Sequence, residues 1–217
     1  MQIQNIIIDF DSTISGVEVL EEIGRISLEG QEDKDRVLAE IERITNLGMT
    51  GVLSFEESLT QRLSMFTINE RVIQRAIQSV SSQISPSFVA QLKLLNQYKW
   101  FVVSGGFLNI IVPVLENIDV YSQCIRANTL LFKNGICVGV DSNNPLAHSN
   151  GKVEVVRSLA LEGATVMIGD GSTDLAVKTA GACRYFWYYQ EFVDREVVRM
   201  QADKVLKDFN DIAVLLN

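Results

Sequence analysis

The sequence predicts an α/β fold: a parallel sheet with helices on both faces, interrupted after its first strand by an all-helical insertion. Three observations lead there. A short β-branched run, Ile3 to Asp9, reads as a buried strand ended by an acidic residue. Over residues 16–80 the apolar positions recur at threes and fours, the spacing of helices with one buried face. From Ser85 onward, strand-like and helix-like segments alternate. The expected organisation is an α/β core of residues 1–15 and 81–217, carrying a helical-bundle cap of residues 16–80.

Within the insertion, Val17, Leu20, Ile23 and Ile26 form a first stripe, and Val37, Leu38, Ile41, Ile44 and Leu47 a second that Gly48 is expected to end. Ser54 followed by Glu57 is a capping-box pattern and opens a third helix bearing Phe55, Leu59, Leu63 and Phe66. Asn69 caps a fourth, with Val72, Ile73, Ala76, Ile77 and Val80. In the core, Ser85-Pro86 starts a helix reaching about Gln97, with proline in the first turn. Lys99–Val103 is a strand running into Ser104-Gly105-Gly106, Leu108–Asn117 a helix, and Val120–Ala127 a strand. Thr129–Phe132 and Ile136–Val140 pair as a hairpin across an Asn-Gly turn. Gly151–Glu162 is helical, Ala164–Ile168 a strand, Leu175–Ala180 a helix, and Cys183–Tyr188 a strand. Helices over Glu191–Ala202 and Asp208–Leu216 complete the reading.

Composition excludes several function classes. With 19 basic against 27 acidic residues the net charge is −8, the wrong sign for a nucleic-acid partner. An anionic substrate must therefore be held by a local arrangement of donors. One histidine, His148, rules out a metal site built on two; in its loop it reads as a surface residue. Three scattered cysteines, Cys124, Cys137 and Cys183, form no CxxC pair and suit buried thiols in a reducing compartment. No secretory signal or membrane-length apolar run is visible, so a cytoplasmic location without membrane contact is expected.

In a parallel sheet the ligand site lies beyond the carboxyl ends of the strands. Three such ends carry reactive side chains: Asp9-Phe10-Asp11-Ser12-Thr13, Ser104-Gly105-Gly106, and Gly169-Asp170-Gly171-Ser172-Thr173-Asp174. Lys152, at a helix start, can reach the same place. Asp9, Asp170 and a nearby main-chain carbonyl would make an oxygen cage suited to Mg²⁺. A single strand-end aspartate is more simply a turn-former or a helix cap. Four such elements in order are not.

In these segments the chain resembles the haloacid dehalogenase superfamily of phosphatases and, within it, the phosphoserine phosphatases. The signatures DFDST (Asp9–Thr13), SGG (Ser104–Gly106), Lys152 and GDGSTD (Gly169–Asp174) occur in order and span most of the chain. The resemblance implies a Rossmann-like core with a cap inserted after the first motif. It implies Asp9 as nucleophile, forming an aspartyl-phosphate, and Asp11 as general acid and then base. Mg²⁺ would be held by Asp9, the Asp11 carbonyl and Asp170. Ser104, Gly105, Gly106, Lys152 and Thr173 would hold the phosphoryl group, and Asp174 would support the metal shell or Lys152. Thr173 stands where many relatives have asparagine. The resemblance extends to Glu18, at the family spacing for a carboxylate that meets a substrate ammonium. It extends also to Met49, Phe55 and Arg62, the family's apolar lid and carboxylate-binding arginine.

Each of these four has a plainer reading, Glu18 as a helix-start acid, Arg62 as a solvated residue, Met49 and Phe55 as cap packing. Together they favour L-phosphoserine as substrate, hydrolysed by a monomer or dimer. The alternatives are a capped phosphatase of another small phosphomonoester, a non-catalytic phosphate-binding protein, and phosphotransfer to an acceptor other than water.

Overall fold

The structure is a computed structural model that describes residues 3–49 and 52–216, except the side chain of Met49. Its centre is a six-stranded parallel sheet. In chain order the strands are β1 (Asn5–Ile8), β2 (Lys99–Phe107), β3 (Ile125–Asn128), β6 (Thr165–Gly169), β7 (Tyr185–Tyr189) and β8 (Lys204–Leu206). In space the order is β3-β2-β1-β6-β7-β8. A two-stranded antiparallel hairpin, β4 (Leu130–Lys133) and β5 (Ile136–Val140), stands apart from it.

The first strand has parallel neighbours on both sides, which explains its composition. Every residue of β1 is buried, and Ile6, Ile7 and Ile8 are completely so. An Ile-rich run without alternation is what a strand covered on both faces requires. Ile8 pairs with Val102 of β2 and with Ile168 of β6, so these three strands finish at one edge. Chain order reverses at β1, the switch point where open parallel sheets form crevices.

Four helices lie between β1 and β2: α1 (Val19–Ser27), α2 (Lys34–Met49), α3 (Phe55–Leu63) and α4 (Glu70–Ser81). The Ser54/Glu57 capping box forms with both reciprocal bonds, and Asn69 accepts the Val72 N–H. The two connections to this insertion run side by side. Gly16 N–H donates to the Gln83 carbonyl at 2.9 Å, and Ser85 N–H to that of Ile14 at 2.8 Å. The remaining helices are α5 (Pro86–Leu95), α6 (Leu108–Glu116), α7 (Gly151–Ser158), α8 (Ser172–Thr179), α9 (Glu196–Arg199) and α10 (Asp211–Leu216). They cover the two faces of the sheet. Phe88 of α5, Trp100, Tyr189 and Phe209 pack in edge and tilted geometry on one face. Val153 and Val156 of α7 pack with Met167 and Tyr188 on the other.

Several expected boundaries shift. The strand expected over Val120–Ala127 is instead Ile125–Asn128, because a 3-10 turn occupies Ser122–Cys124. Helix α2 runs through Gly48 instead of ending there. The helix from Gly151 stops at Ser158, and Gly163 serves a loop at φ +87°. The expected Glu191–Ala202 helix shrinks to Glu196–Arg199, since residues 190–195 cross the sheet's carboxyl edge as an irregular segment. Strand β8 was not foreseen; three residues beside polar neighbours carry no period. Of the three free cysteines only Cys183 is buried, and burial pushes its thiol up to about 12.

Gly151, the first residue of α7, has no room for a side chain: an added Cβ would lie 2.0 Å from the Pro145 carbonyl oxygen. Gly151→Ala must therefore displace α7 or the Pro145 turn. We expect a cost of about 2–3 kcal/mol, or roughly 4–12 °C in Tm by thermal unfolding, with turnover reduced because Lys152 moves with the helix. A Tm unchanged from wild type would show that the turn gives way freely.

Candidate active site

The carboxyl edge of the sheet collects the charged residues. Asp9 follows β1 directly, and its Oδ1 accepts the Phe10 N–H at 2.8 Å. Lys152, in the first turn of α7, reaches across to place Nζ 2.8 Å from Asp9 Oδ1 and 2.6 Å from Asp174 Oδ1. Asp174 in turn accepts the Gly171 N–H at 2.9 Å, closing the first turn of α8. All three charged side chains are buried. Burial opposes the charge on Lys152, but Asp174 and Asp9 outweigh it and hold the amine protonated well above its ordinary range. Burial and the Asp9 charge push the Asp174 carboxyl up to about 7, against the pull of Lys152. The two directions share one cause: two carboxylates compete for one ammonium in a site with little water.

Asp11 follows two residues after Asp9. Its Oδ1 accepts the Val19 N–H at 3.0 Å, so this carboxyl caps α1 while its Oδ2 lies against Gly106. Burial first, then the charges of Glu18 and Asp9, raise its pKa well above the ordinary carboxylate value, the direction that favours the protonated acid. Asp170 follows β6; Thr13 donates to its Oδ1 at 3.2 Å, and the Arg195 guanidinium lies against its Oδ2.

The glycine motif sits in a bulge. Between Val103 and Phe107 the register of β2 against β3 slips by two residues, lifting Ser104-Gly105-Gly106 out of the ladder. Asn128 fixes the bulge, donating to the Gly105 carbonyl at 2.9 Å and to that of Leu146 at 2.8 Å. Ser104 is fully buried and its Oγ accepts the Gly106 N–H at 2.9 Å. The adjoining cavity is thus walled by Gly105 and Gly106, with the Ser104 side chain behind them.

That cavity, about 440 Å³, lies between the carboxyl edge and the inserted helices. Asp9, Asp11, Lys152, Asp170 and Thr173 form its floor, and Glu18, Phe55 and Arg62 its opposite wall. Phe55 presses its ring on Gly105, where an added Cβ would sit 3.2 Å from the ring. Arg62 is 8% exposed; Nε donates to the Ser58 carbonyl and Nη1 to Thr45 Oγ1, each at 3.2 Å. Among the described residues no carboxylate lies within 4.0 Å of its guanidinium, and burial lowers its pKa. The solvated reading of Arg62 is therefore overturned. Glu18 accepts from Ser12 Oγ at 2.8 Å and lies 3.8 Å from Arg195 Nη2. The Met49 side chain lies outside the described residues.

A hard cation fits this floor. One carboxylate oxygen from each of Asp9, Asp170 and Asp174 lies within 4.8 Å of the others, and all three residues are buried. Asp9, Asp11, Glu18 and Asp170 line the cavity, and Asp174 joins Asp9 through Lys152, so the available ligands are carboxylate oxygens. An all-oxygen, acidic donor set selects a hard divalent ion. Asp174 belongs to this cluster as well as to Lys152, a closer association with the metal position than a purely supporting residue has. Sequence reading missed Arg195, Asn128 and Thr45. Arg195 was hidden by the helix expected over residues 191–202, and the other two are polar residues in runs that carry no motif.

This constellation defines a phosphate-transferring hydrolase fold, and comparison with known proteins agrees. The chain belongs to the haloacid dehalogenase-like hydrolases, whose family model matches residues 6–177. It is 30% identical over 216 residues to the chloroplastic phosphoserine phosphatase of Arabidopsis thaliana, covering 97% of this chain and 70% of that one. It is 30% identical to the phosphoserine phosphatase of Bos taurus, covering 94% and 89%. Among solved structures, a phosphoserine phosphohydrolase-like protein from Francisella tularensis superposes with a TM-score of 0.88 at 28% identity, covering 99% and 100%. A substrate-bound phosphoserine phosphatase complex superposes with a TM-score of 0.80 at 25% identity over both full chains. The chain is a phosphoserine phosphatase-like phosphoric monoester hydrolase. Among the described residues no helix is long and apolar enough to cross a membrane.

Removing Lys152 leaves Asp9 and Asp174 buried without their common partner. Lys152→Met should cost about 3–5 kcal/mol at pH 7.5 in chelator, read by urea unfolding. With Lys152 in place the Asp174 carboxyl already stands at about 7, and without that ammonium the pull that lowers it is gone and it rises further. A carboxyl raised on folding loses stability as pH climbs through its folded value, so the deficit grows as pH rises above about 7 and shrinks on acidification. A deficit independent of pH would mean that lost packing, not unpaired charge, is responsible.

Proposed function

We propose that this protein hydrolyses L-phosphoserine through an aspartyl-phosphate, with the inserted helices, residues 16–80, acting as a cap over the core. The observation that carries the reading is a single cavity with Asp9 on its floor and, on its far wall, a buried guanidinium and a carboxylate set for the two charged ends of an amino acid. Arg62 matches a carboxylate through its planar fork, and Glu18 an ammonium.

The chemistry follows from the side chains. Asp9 attacks phosphorus and the P–O bond to the serine oxygen breaks. Asp11 gives its proton to that departing oxygen; its capped Oδ1 turns Oδ2 toward the cavity, and its raised pKa keeps the proton available. In the second step Asp11 takes a proton from water, which attacks the phosphoryl group and frees Asp9 and phosphate. Lys152, Thr173 and the amide of Gly105 offer donors for the phosphoryl oxygens, while Ser104 holds the Gly106 amide and sets the turn. Mg²⁺ held by Asp9, Asp170 and the Asp11 carbonyl would supply positive charge to the same oxygens, with Asp174 at the border of its shell. Phe55 excludes water from the far side.

Asp9→Asn removes the nucleophile without changing shape. Turnover should fall by at least about 10³-fold while the circular dichroism spectrum is kept; the wild type should lose activity in chelator and regain it with Mg²⁺, with Ca²⁺ a poor substitute. Residual turnover within tenfold of wild type would dismiss Asp9.

The substrate reading has its own test. Phosphoethanolamine lacks the carboxylate and phosphoglycolate the ammonium. A charge-assisted contact is worth about 1.5–3 kcal/mol, so each should be roughly 10- to 150-fold poorer than L-phosphoserine in kcat/KM. Arg62→Ala should penalise phosphoserine far more than phosphoethanolamine. Equal penalties would mean that Arg62 reads no carboxylate, and the substrate is then another small phosphomonoester.

A further inference from the structure

We propose that Glu56 is a positioning residue for the reaction: gripping Ser149, it latches α3 to the core and sets Phe55 and Arg62 over Asp9. The inference rests on the cavity being the substrate site.

Glu56 is the second residue of α3, and the capping of that helix is already provided by Ser54 and Glu57. Its carboxylate is free to reach outward, and it crosses to the core. Oε1 accepts the Ser149 N–H at 2.7 Å and Oε2 the Ser149 hydroxyl at 2.8 Å, so one residue satisfies both oxygens. His148 Nδ1 lies 3.5 Å from Oε1, its ring oriented by an Nε2 contact of 2.8 Å to the Ser142 carbonyl.

The place of this contact gives it meaning. The other inserted helices are fixed elsewhere. Asp11 caps α1 through Val19 N–H, and α4 packs on α1 and α6, while just before α4 the Ile68 carbonyl accepts the Cys137 N–H of β5 at 2.8 Å. Helix α3 packs on α2 and meets the core beside the Pro145–Ala147 turn, with Phe55 on Gly105 and Glu56 hydrogen-bonded to Ser149. On the core side, Ser149 is three residues before Lys152, and His148, Ser149, Asn150 and Gly151 all wall the cavity. The latch therefore ties the helix bearing Arg62 to the loop that leads into Lys152.

Its strength suits a gate. Asp9 lies at the bottom of the cavity and is 7% exposed, so the wall opposite it controls how a substrate enters. The Glu56 and His148 side chains are both open to solvent, by 37% and 48%. Such contacts are individually weak and can be remade at every turnover. Two charge-assisted bonds on one carboxylate still bias the closed arrangement.

The test is hydrogen exchange by mass spectrometry on the full chain with Mg²⁺ and inorganic phosphate, for wild type, Glu56→Ala, Ser149→Ala and the double variant. Glu56→Ala should speed exchange across residues 55–63 roughly tenfold while leaving residues 70–81 as in wild type. The double variant should be little faster than Glu56→Ala, because the two changes remove the same contact. In turnover, KM for L-phosphoserine should rise roughly tenfold with kcat within about twofold of wild type, and Glu56→Gln, which keeps one acceptor, should fall between. Exchange over 55–63 equal to wild type, or raised equally over 70–81, would overturn the latch. If the exchange pattern appears but phosphoserine is not hydrolysed, the substrate reading fails and the latch stands.

Discussion

The structure depends on one buried ammonium. Lys152 is the point where three elements meet: Asp9 at the end of β1, Asp174 in the first turn of α8 after β6, and its own helix α7. Without it, two carboxylates would be driven together in a site almost closed to water, at several kcal/mol each. With it, they converge, and their oxygens and those of Asp170 form a cluster that a divalent cation fits. Neighbouring glycines answer to the same demand. An added Cβ on Gly169 would lie 2.4 Å from the Asp174 carboxyl carbon, so the strand end must be bare for Asp174 to fold back. On Gly151 it would meet the Pro145 carbonyl, so the start of α7 must be bare for Lys152 to reach inward.

Around this fixed centre the molecule places its adaptable parts on the opposite wall. The floor residues come from strand ends and helix first turns, whose positions are set by a sheet buried on both faces. The far wall comes from α1 and α3, held by a helix cap, a ring on a glycine and an exposed carboxylate. That division suits an enzyme that must admit a charged substrate and then exclude water. The phosphate chemistry needs rigid geometry, and the selection of substrate needs a surface that can move away.

The floor was legible in the sequence because its geometry is local. A strand end followed by Asp-x-Asp, a strand end followed by Gly-Asp-Gly, and a lysine opening a helix each place a side chain with only a few residues of context. Parallel neighbours of β1 then bring them together without further specification. The capping box at Ser54 and the Asn134-Gly135 turn, both residues at positive φ, were legible for the same reason. What failed was long-range. Residues 191–202 carry enough apolar positions for a helix, yet tertiary contacts hold 190–195 as an irregular segment. Glu191 accepts from Ser85, Phe192 packs on Gly16, and Arg195 reaches Asp170 and Glu18. Each of those partners lies more than 20 residues away in the chain, so no local period could report them.

Arg62 shows how burial changes the meaning of a residue that sequence alone leaves open. A lone arginine on an amphipathic helix is most simply solvated, its charge spread into water. Here it is nearly covered, its donors engage one carbonyl and one hydroxyl, and no described carboxylate pairs with it. A guanidinium has five N–H donors and cannot shed its proton in the physiological range, so burial with two hydrogen bonds leaves donors aimed at whatever fills the cavity. Keeping such a group dry without a partner costs free energy that a neutral residue would not. On the proposed function, an anion entering beside it restores that loss, and only one of the right length does so while its phosphate rests with Asp9. Affinity for the far end of that substrate and closure of the wall that carries Arg62 would then be one event, making the fit of the substrate a condition for the chemistry below it.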